Sequence, residues 1–329
     1  MAWIGIDVSK AKLDAAWLRD ATRGKFKDKV FPNTPAGHQA LLTWAGRQSG
    51  APLADVHFVM EATGVYHEAL ACALHDAGAR VSVVNPAQVR DYAKSLGVRS
   101  KNDRRDSRVL ARFGESRRPG LWQPEPREIR ELKALLARLE ALDGDIRREL
   151  NRQEKAQISQ ASEEVLASIR TMHQQLEQEK QRLLALIDDH IDRHPHLKQD
   201  RHLLESIPGV GPVVSRCMIS LVRSRPFTGA AQCAAYLGLI PVEHQSGTSV
   251  RGRPRLSKAG NARLRAKLYM AAVVAVRCNP DVKALYQRLL ARGKCKMSAL
   301  GAAMRKLVHI CFGVLKHRKP YQAQTTLLA

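Results

Sequence analysis

Apolar and polar positions along this chain follow three successive rhythms, and each predicts a different kind of structure. Residues 3–8 (WIGIDV) and 11–18 (AKLDAAWL) read as two strands joined by a tight turn at Ser9 and Lys10, and 25–31 adds a third. Apolar runs at 56–61 (VHFVME) and 80–84 (RVSVV) predict buried strands, while spacings of three and four predict helices over 35–46, 66–77, 86–95 and 103–116. Strands alternating with helices in this way predict an α/β layered domain over residues 1–120.

Past Pro119, Pro124 and Pro126 the strand rhythm disappears. Ile129, Leu132, Leu136, Leu139, Leu142, Ile146 and Leu150 mark one long amphipathic helix, and Val165, Ile169, Met172, Leu176, Glu179, Leu183 and Leu186 mark a second with a single polar break. Residues 121–199 therefore predict a helical arm, either packed within its own chain or paired as a hairpin or intermolecular coiled coil. From about residue 200 the pattern is mainly helical again. LLESIPGVGP (203–212) resembles a helix-hairpin-helix element, in which glycines and the next helix N-terminus let phosphate approach, although a plain interhelical turn reads the same way. A Gly/Ser-rich basic loop is expected over 242–260, then helices over 261–277 and 297–316 whose apolar stripes belong to a core.

Charge changes the picture most in the last stretch. The chain has 329 residues with 54 Lys and Arg against 31 Asp and Glu, a net charge of +23. Residues 201–329 hold 22 of the bases against 3 acids, a net +19, which leaves +4 for residues 1–200. A polyanionic partner follows, with nucleic acid foremost. Six cysteines lack CxxC or Cys/His ligand spacing, which argues against a zinc site or a disulfide framework and for reduced thiols. No uninterrupted apolar run reaches the roughly 18 residues of a membrane span, so a soluble, cytoplasmic and nucleoid-associated protein without membrane contact is expected.

Four acidic residues carry the candidate chemistry. Asp7 and Glu61 each end an apolar strand, and Asp103 and Asp106 stand three apart at the start of a predicted helix, on one face near its positive end. Singly, each has an ordinary reading: a turn residue, a partner for any lysine, an N-cap. Jointly, clustered carboxylates need a cation among them, and a hard divalent ion such as Mg²⁺, with Mn²⁺ as the substitute, also grips phosphate. Phosphodiester chemistry is the expected consequence.

The segments GIDVSKAKLD (5–14), MEATGVY (60–66), NPAQVR (85–90), KNDRRDSRVLA (101–111), LLESIPGVGPVVS (203–215), YLGLIP (236–241), SGTSVRGRPRLSKAGNARLRAKLYMAA (246–272) and MRKLVHICFGVLK (304–316) resemble the DEDD transposases of the Piv/MooV recombinase family. The resemblance runs in order over nearly the whole chain. It implies a RuvC-like, RNase H-fold domain over 1–120, a coiled-coil linker over 121–199 and a basic transposase domain over 200–329. It also implies Asp7, Glu61, Asp103 and Asp106 as the metal-binding tetrad and Ser246 as a serine nucleophile. From the residues alone Ser246 reads as a turn hydroxyl, and Thr248 and Ser249 stand close enough to compete for the role.

The same resemblance implies donor and target DNA as substrates, a structured bridge RNA as guide, and a homo-oligomer arranged as a dimer of dimers. Arg251, Arg253, Arg255 and Lys258 beside Ser246 suit phosphate neutralisation, as do Arg263, Arg265 and Lys267 on the following helix and Lys10 and Lys101 in the first domain. Each is also compatible with a solvated basic surface. Two rivals remain: a RuvC-type endonuclease in which water attacks, and a nucleic-acid-binding protein with an inactive nuclease core.

Overall fold

The computed structural model describes residues 1–62, 64–97, 102–243, 245–246, 250–251 and 255–323. Lys101 and Arg253 lie outside the described residues, as do Thr248, Ser249 and the side chains of Ser246 and Arg251. The chain divides into two compact units, Met1–Pro124 and Glu125–Ala329.

The first unit is built on strands β1 (Ala2–Val8), β2 (Lys12–Asp20) and β3 (Lys25–Pro32), helix α1 (Pro35–Ser49), β4 (Val56–Glu61), α2 (Glu68–Asp76), β5 (Arg80–Val84), α3 (Pro86–Ser95) and α4 (Asp103–Arg117). Its five-stranded sheet has the order β3-β2-β1-β4-β5. The β1, β2 and β3 strands form an antiparallel meander, while β4 runs parallel to β1 and β5 parallel to β4.

Alternation along β1 decides which side chains meet which helices. Ile4, Ile6 and Val8 join Phe58, Met60, Leu41 and Leu70 in the core under α1 and α2. Trp3 and Val59 face the other way, into a second core with Val109, Leu110 and Phe113 of α4. Gly5 stands where α4 crosses β1, and a Cβ there would collide with the Ser107 carbonyl and the Ala111 amide. The helix lies this close to the strand because Gly5 has no side chain.

The second unit contains α5 (Arg127–Ile158), α6 (Glu163–Arg193), α7 (Pro195–Glu205), α8 (Pro212–Arg223), α9 (Ala230–Tyr236), the two-residue strands β6 (Pro241–Val242), β7 (Gln245–Ser246), β8 (Val250–Arg251) and β9 (Arg255–Leu256), then α10 (Ala262–Cys278), α11 (Pro280–Ala291) and α12 (Lys296–His317). Ile129, Leu132, Leu139 and Leu142 of α5 and Leu183, Ile187 and Ile191 of α6 share one apolar core with α7 to α12. Leu183 of the stripe expected along α6 is buried, and at the last expected position the stripe moves on by one residue, since Ile187 is buried and Leu186 exposed. The basic segment expected as a loop carries two small antiparallel ladders, β6 with β9 and β7 with β8.

α12 is long and apolar enough on average to cross a membrane, the one such helix among the described residues. Ala303, Leu307, Val308 and Cys311 on it are fully buried in the core of this unit, which accounts for its composition.

Candidate active site

Asp7 follows Gly5 by two residues on β1 and so projects from the same sheet face, toward α4. On β4, Val59 contacts α4 near Gly114, and Glu61 two residues later shares its face. Because β1 and β4 are parallel neighbours with Ile6 opposite Met60, Asp7 and Glu61 end adjacent strands side by side. Helix α4 begins at Asp103, capped by Asn102, whose side chain accepts the Arg105 amide at 2.8 Å. Ser107 lies over Gly5, so Asp103 and Asp106 in the preceding turn belong to the end of the sheet that carries Asp7. Asp7, Glu61 and Asp106 are half-buried and Asp103 is exposed.

Asp14 is a fifth carboxylate on this face, directly opposite Asp7 in the β1/β2 register. Lys12, two residues earlier on β2, places its ammonium 3.0 Å from Asp14 Oδ2 and 2.6 Å from Asp103 Oδ2. The hydrogen bond to Asp103, then that to Asp14, raises the Lys12 pKa above its ordinary value. The turn before it is fixed by Ser9, whose Oγ donates to the Lys12 carbonyl at 2.9 Å and accepts the Lys12 amide at 3.2 Å. Lys10, at the tip of this turn, is exposed.

Among the described residues no three Asp, Glu, His or Cys side chains are drawn together into a cage for a metal ion. Among the described residues, a cation at this place is the Lys12 ammonium. A donor set made only of carboxylate oxygens, with a positive group standing between two of them, fits a hard divalent ion.

The candidates of the second unit fall into two kinds. The Ser246 backbone pairs with Val250 in the β7/β8 ladder. Arg255 on β9 and Lys258 are exposed, and Arg263 meets Glu140 at 3.0 Å while remaining mostly exposed. Arg265 instead donates to the carbonyls of Leu237, Ala259 and Gly260 at 3.0–3.2 Å, and Lys267 reaches the Cys217 sulfur at 3.7 Å. These two cations hold their own unit together. At the PGVG turn, Gly209 has φ +94° and a Cβ there would lie 2.8 Å from that of Ala275. Its bareness serves close packing on α10.

Sequence reasoning passed over Asp14, Lys12 as a bridge, and the buried His57. The tight turn falls at Lys10 and Ala11, one residue later than the expected Ser9 and Lys10, and this one-residue shift sets residue 14, not residue 12, opposite residue 7. His57 stacks on Trp3 with ring centroids 4.5 Å apart, and its Nε2 lies 2.8 Å from Ser82 Oγ. Ser82 donates to the Gly120 carbonyl at 2.8 Å, so it accepts from His57 as a neutral imidazole. Burial, helped by the nearby Arg80 charge, pushes the His57 pKa down to about 4.

Residues 4–157 match the DEDD-type transposase of IS110 elements, and residues 201–287 match the transposase of the IS116/IS110/IS902 family. The chain is 32% identical over 321 residues to the pilin gene-inverting protein of Moraxella bovis, covering 97% of each. The Moraxella lacunata protein of the same name is equally similar. A 43.6 kDa insertion element IS110 protein of Streptomyces coelicolor is 28% identical over 159 residues, which is 48% of this chain and 37% of that protein.

Proposed function

Because this chain belongs to the IS110-type family of DEDD transposases, we propose that it excises and inserts, or inverts, a DNA segment through a phosphoserine intermediate formed by Ser246. The broader statement stands on the family itself: the protein is a DNA-processing enzyme, a transposase or invertase, of a kind that uses a divalent metal ion. The observation that supports the metal part of this reading is the shared placement of Asp7 and Glu61 near the ends of β1 and β4, on the face toward α4 and its first-turn acids, while the role of Ser246 rests on the family resemblance of its segment.

In this reading Asp7, Glu61, Asp103 and Asp106 hold Mg²⁺, or Mn²⁺ in its stead. A divalent ion bound there supplies Lewis-acid charge for the phosphate and for the oxygens that attack and leave. Ser246 Oγ loses its proton, attacks phosphorus and forms the phosphoserine ester, while the departing deoxyribose oxygen takes up a proton. A deoxyribose hydroxyl of the new partner strand then attacks the same phosphorus and releases the serine. Bond energy is conserved, so rejoining needs no ATP. Arg251, Arg253, Arg255, Lys258 and Arg263 neutralise phosphate charge, as Lys10 and Lys101 do from the first unit. The RNase H-like reading of the sheet is supported by the β3-β2-β1-β4-β5 order with its antiparallel meander. Target choice by a bridge RNA, a three-part division at residues 120 and 200, and a dimer-of-dimers assembly complete the proposal.

The test is covalent trapping. With Mg²⁺ and a suicide DNA substrate, the native protein is expected to become joined to DNA, and Ser246→Ala to bind DNA without joining or exchanging strands. Cleavage that releases free ends from a protein never linked to DNA would overturn the serine role in favour of attacking water. Asp106→Asn should abolish cleavage while leaving DNA retention unchanged.

A further inference from the structure

We propose that the Lys12 ammonium occupies the place of the divalent ion in the metal-free protein, anchored by Asp14, and must withdraw before that ion is held. The inference rests on the reading of the DEDD carboxylates as a metal site, and it assigns roles to two residues outside that tetrad.

The register makes the arrangement unavoidable. Asp14 lies opposite Asp7, and Lys12 lies one alternation back on the same strand face. Asp14 has a side chain only 12% exposed, so its ionised form requires a counter-charge close by. Lys12 supplies that charge and extends it to Asp103, which joins the β-hairpin to the start of α4. Without a cation, the acids at this end of the sheet would repel one another.

An ammonium is suited to a temporary post. It is a compact charge with three donors on a flexible four-carbon stem. The Lys12 side chain is 46% exposed, which leaves it an open path to solvent. A divalent ion brings twice the charge and accepts several carboxylate oxygens at once, whereas Lys12 satisfies two. Entry of the ion therefore displaces Lys12 from Asp103, and the freed ammonium is left within reach of an incoming phosphate. The same exchange raises the metal concentration needed to load the site, so Lys12 sets a threshold.

Metal binding can be measured apart from catalysis, by following free Mn²⁺ in electron paramagnetic resonance titrations of the full-length, metal-free protein. Exposed ion pairs are weak competitors, so Lys12→Met and Lys12→Gln should bind Mn²⁺ only about 1.5- to 5-fold more tightly than the native protein. Lys25→Met removes an equal charge elsewhere on the sheet and should leave the affinity unchanged. Equal or weaker binding by both Lys12 variants, as a purely structural clamp would give, overturns the proposal. A second measurement needs no variant: in ¹⁵N-lysine-labelled native protein, saturating Mg²⁺ should shift the Lys12 Nζ resonance, and an unmoved signal overturns the exchange. Asp7→Asn separates the metal site from the exchange at it. If this substitution removes no Mn²⁺ binding from the native protein, the metal reading fails; if it does and the Lys12 variants do not tighten binding, only the displacement fails.

Discussion

Gly5 is where a missing side chain does most for the site. The main chain of α4 at Ser107 and Ala111 occupies the space a Cβ would need, so Gly5→Ala must push the helix away from β1. Overpacking of this kind costs about 1–3 kcal/mol, and here the displaced segment carries Asp103 and Asp106. Cleavage should therefore fall further than stability does, which parallel melting and DNA-nicking measurements would show. His57 gives a second residue-scale expectation, of opposite character. Its folded pKa of about 4 lies below the ordinary 6.5, so the unfolded chain binds the proton more readily. Stability from this group is complete above pH 6.5 and is lost as pH falls toward 4, by on the order of 3 kcal/mol. All four tryptophans lie in the first unit, at positions 3, 17, 44 and 122, so their fluorescence reports its unfolding. The acid-induced drop in its midpoint should shrink in His57→Gln.

Elements were legible in the sequence wherever one face of a strand or helix met one core. The β1 strand, with Ile4, Ile6 and Val8 on one side and Gly5 and Asp7 on the other, is where the alternation puts it, and Ile129 to Ile146 of α5 keep their buried stripe. Elements became hard to read where a polar group or a neighbour decided the outcome. Asn102, not Asp103, caps α4, because its side chain reaches the Arg105 amide. Lys267 and Arg265 look like phosphate ligands on a helix face, yet a sulfur and three carbonyls claim them, and no periodicity records such partners. The far end of the α5 and α6 hairpin is a further case: Val165 and Met172 fit the apolar repeat but are each 47% exposed, and Ile158 at the end of α5 is 77% exposed. If these positions meet another copy of the chain, Val165→Lys with Met172→Lys should shift sedimentation toward the monomer while changing the melting midpoint of the isolated subunit little. An unchanged oligomer would remove this hairpin end from the assembly interface.

At the scale of the molecule, positive charge is gathered in the later part of the chain. The acids of the sheet end sit in a stretch of net +4, and a net +19 is gathered over residues 201–329. Binding by so basic a region releases counterions from DNA, with a log–log salt slope near −0.9 for each phosphate neutralised. For about six such phosphates the affinity should drop about 10³-fold between 50 and 200 mM salt. The structure says which cations set that slope. Arg255, Lys258 and Arg263 present their charges outward, so replacing any one of them by Gln should make the slope shallower by about one, the share of a single phosphate left without its cation. Arg265 points inward to the carbonyls of Leu237, Ala259 and Gly260, so Arg265→Gln should lower the melting temperature and leave the slope alone. Equal slopes for all four variants would mean that DNA senses only the total charge of the unit. Divergent slopes would mean that the folded positions of these cations, which composition does not record, govern how DNA is held.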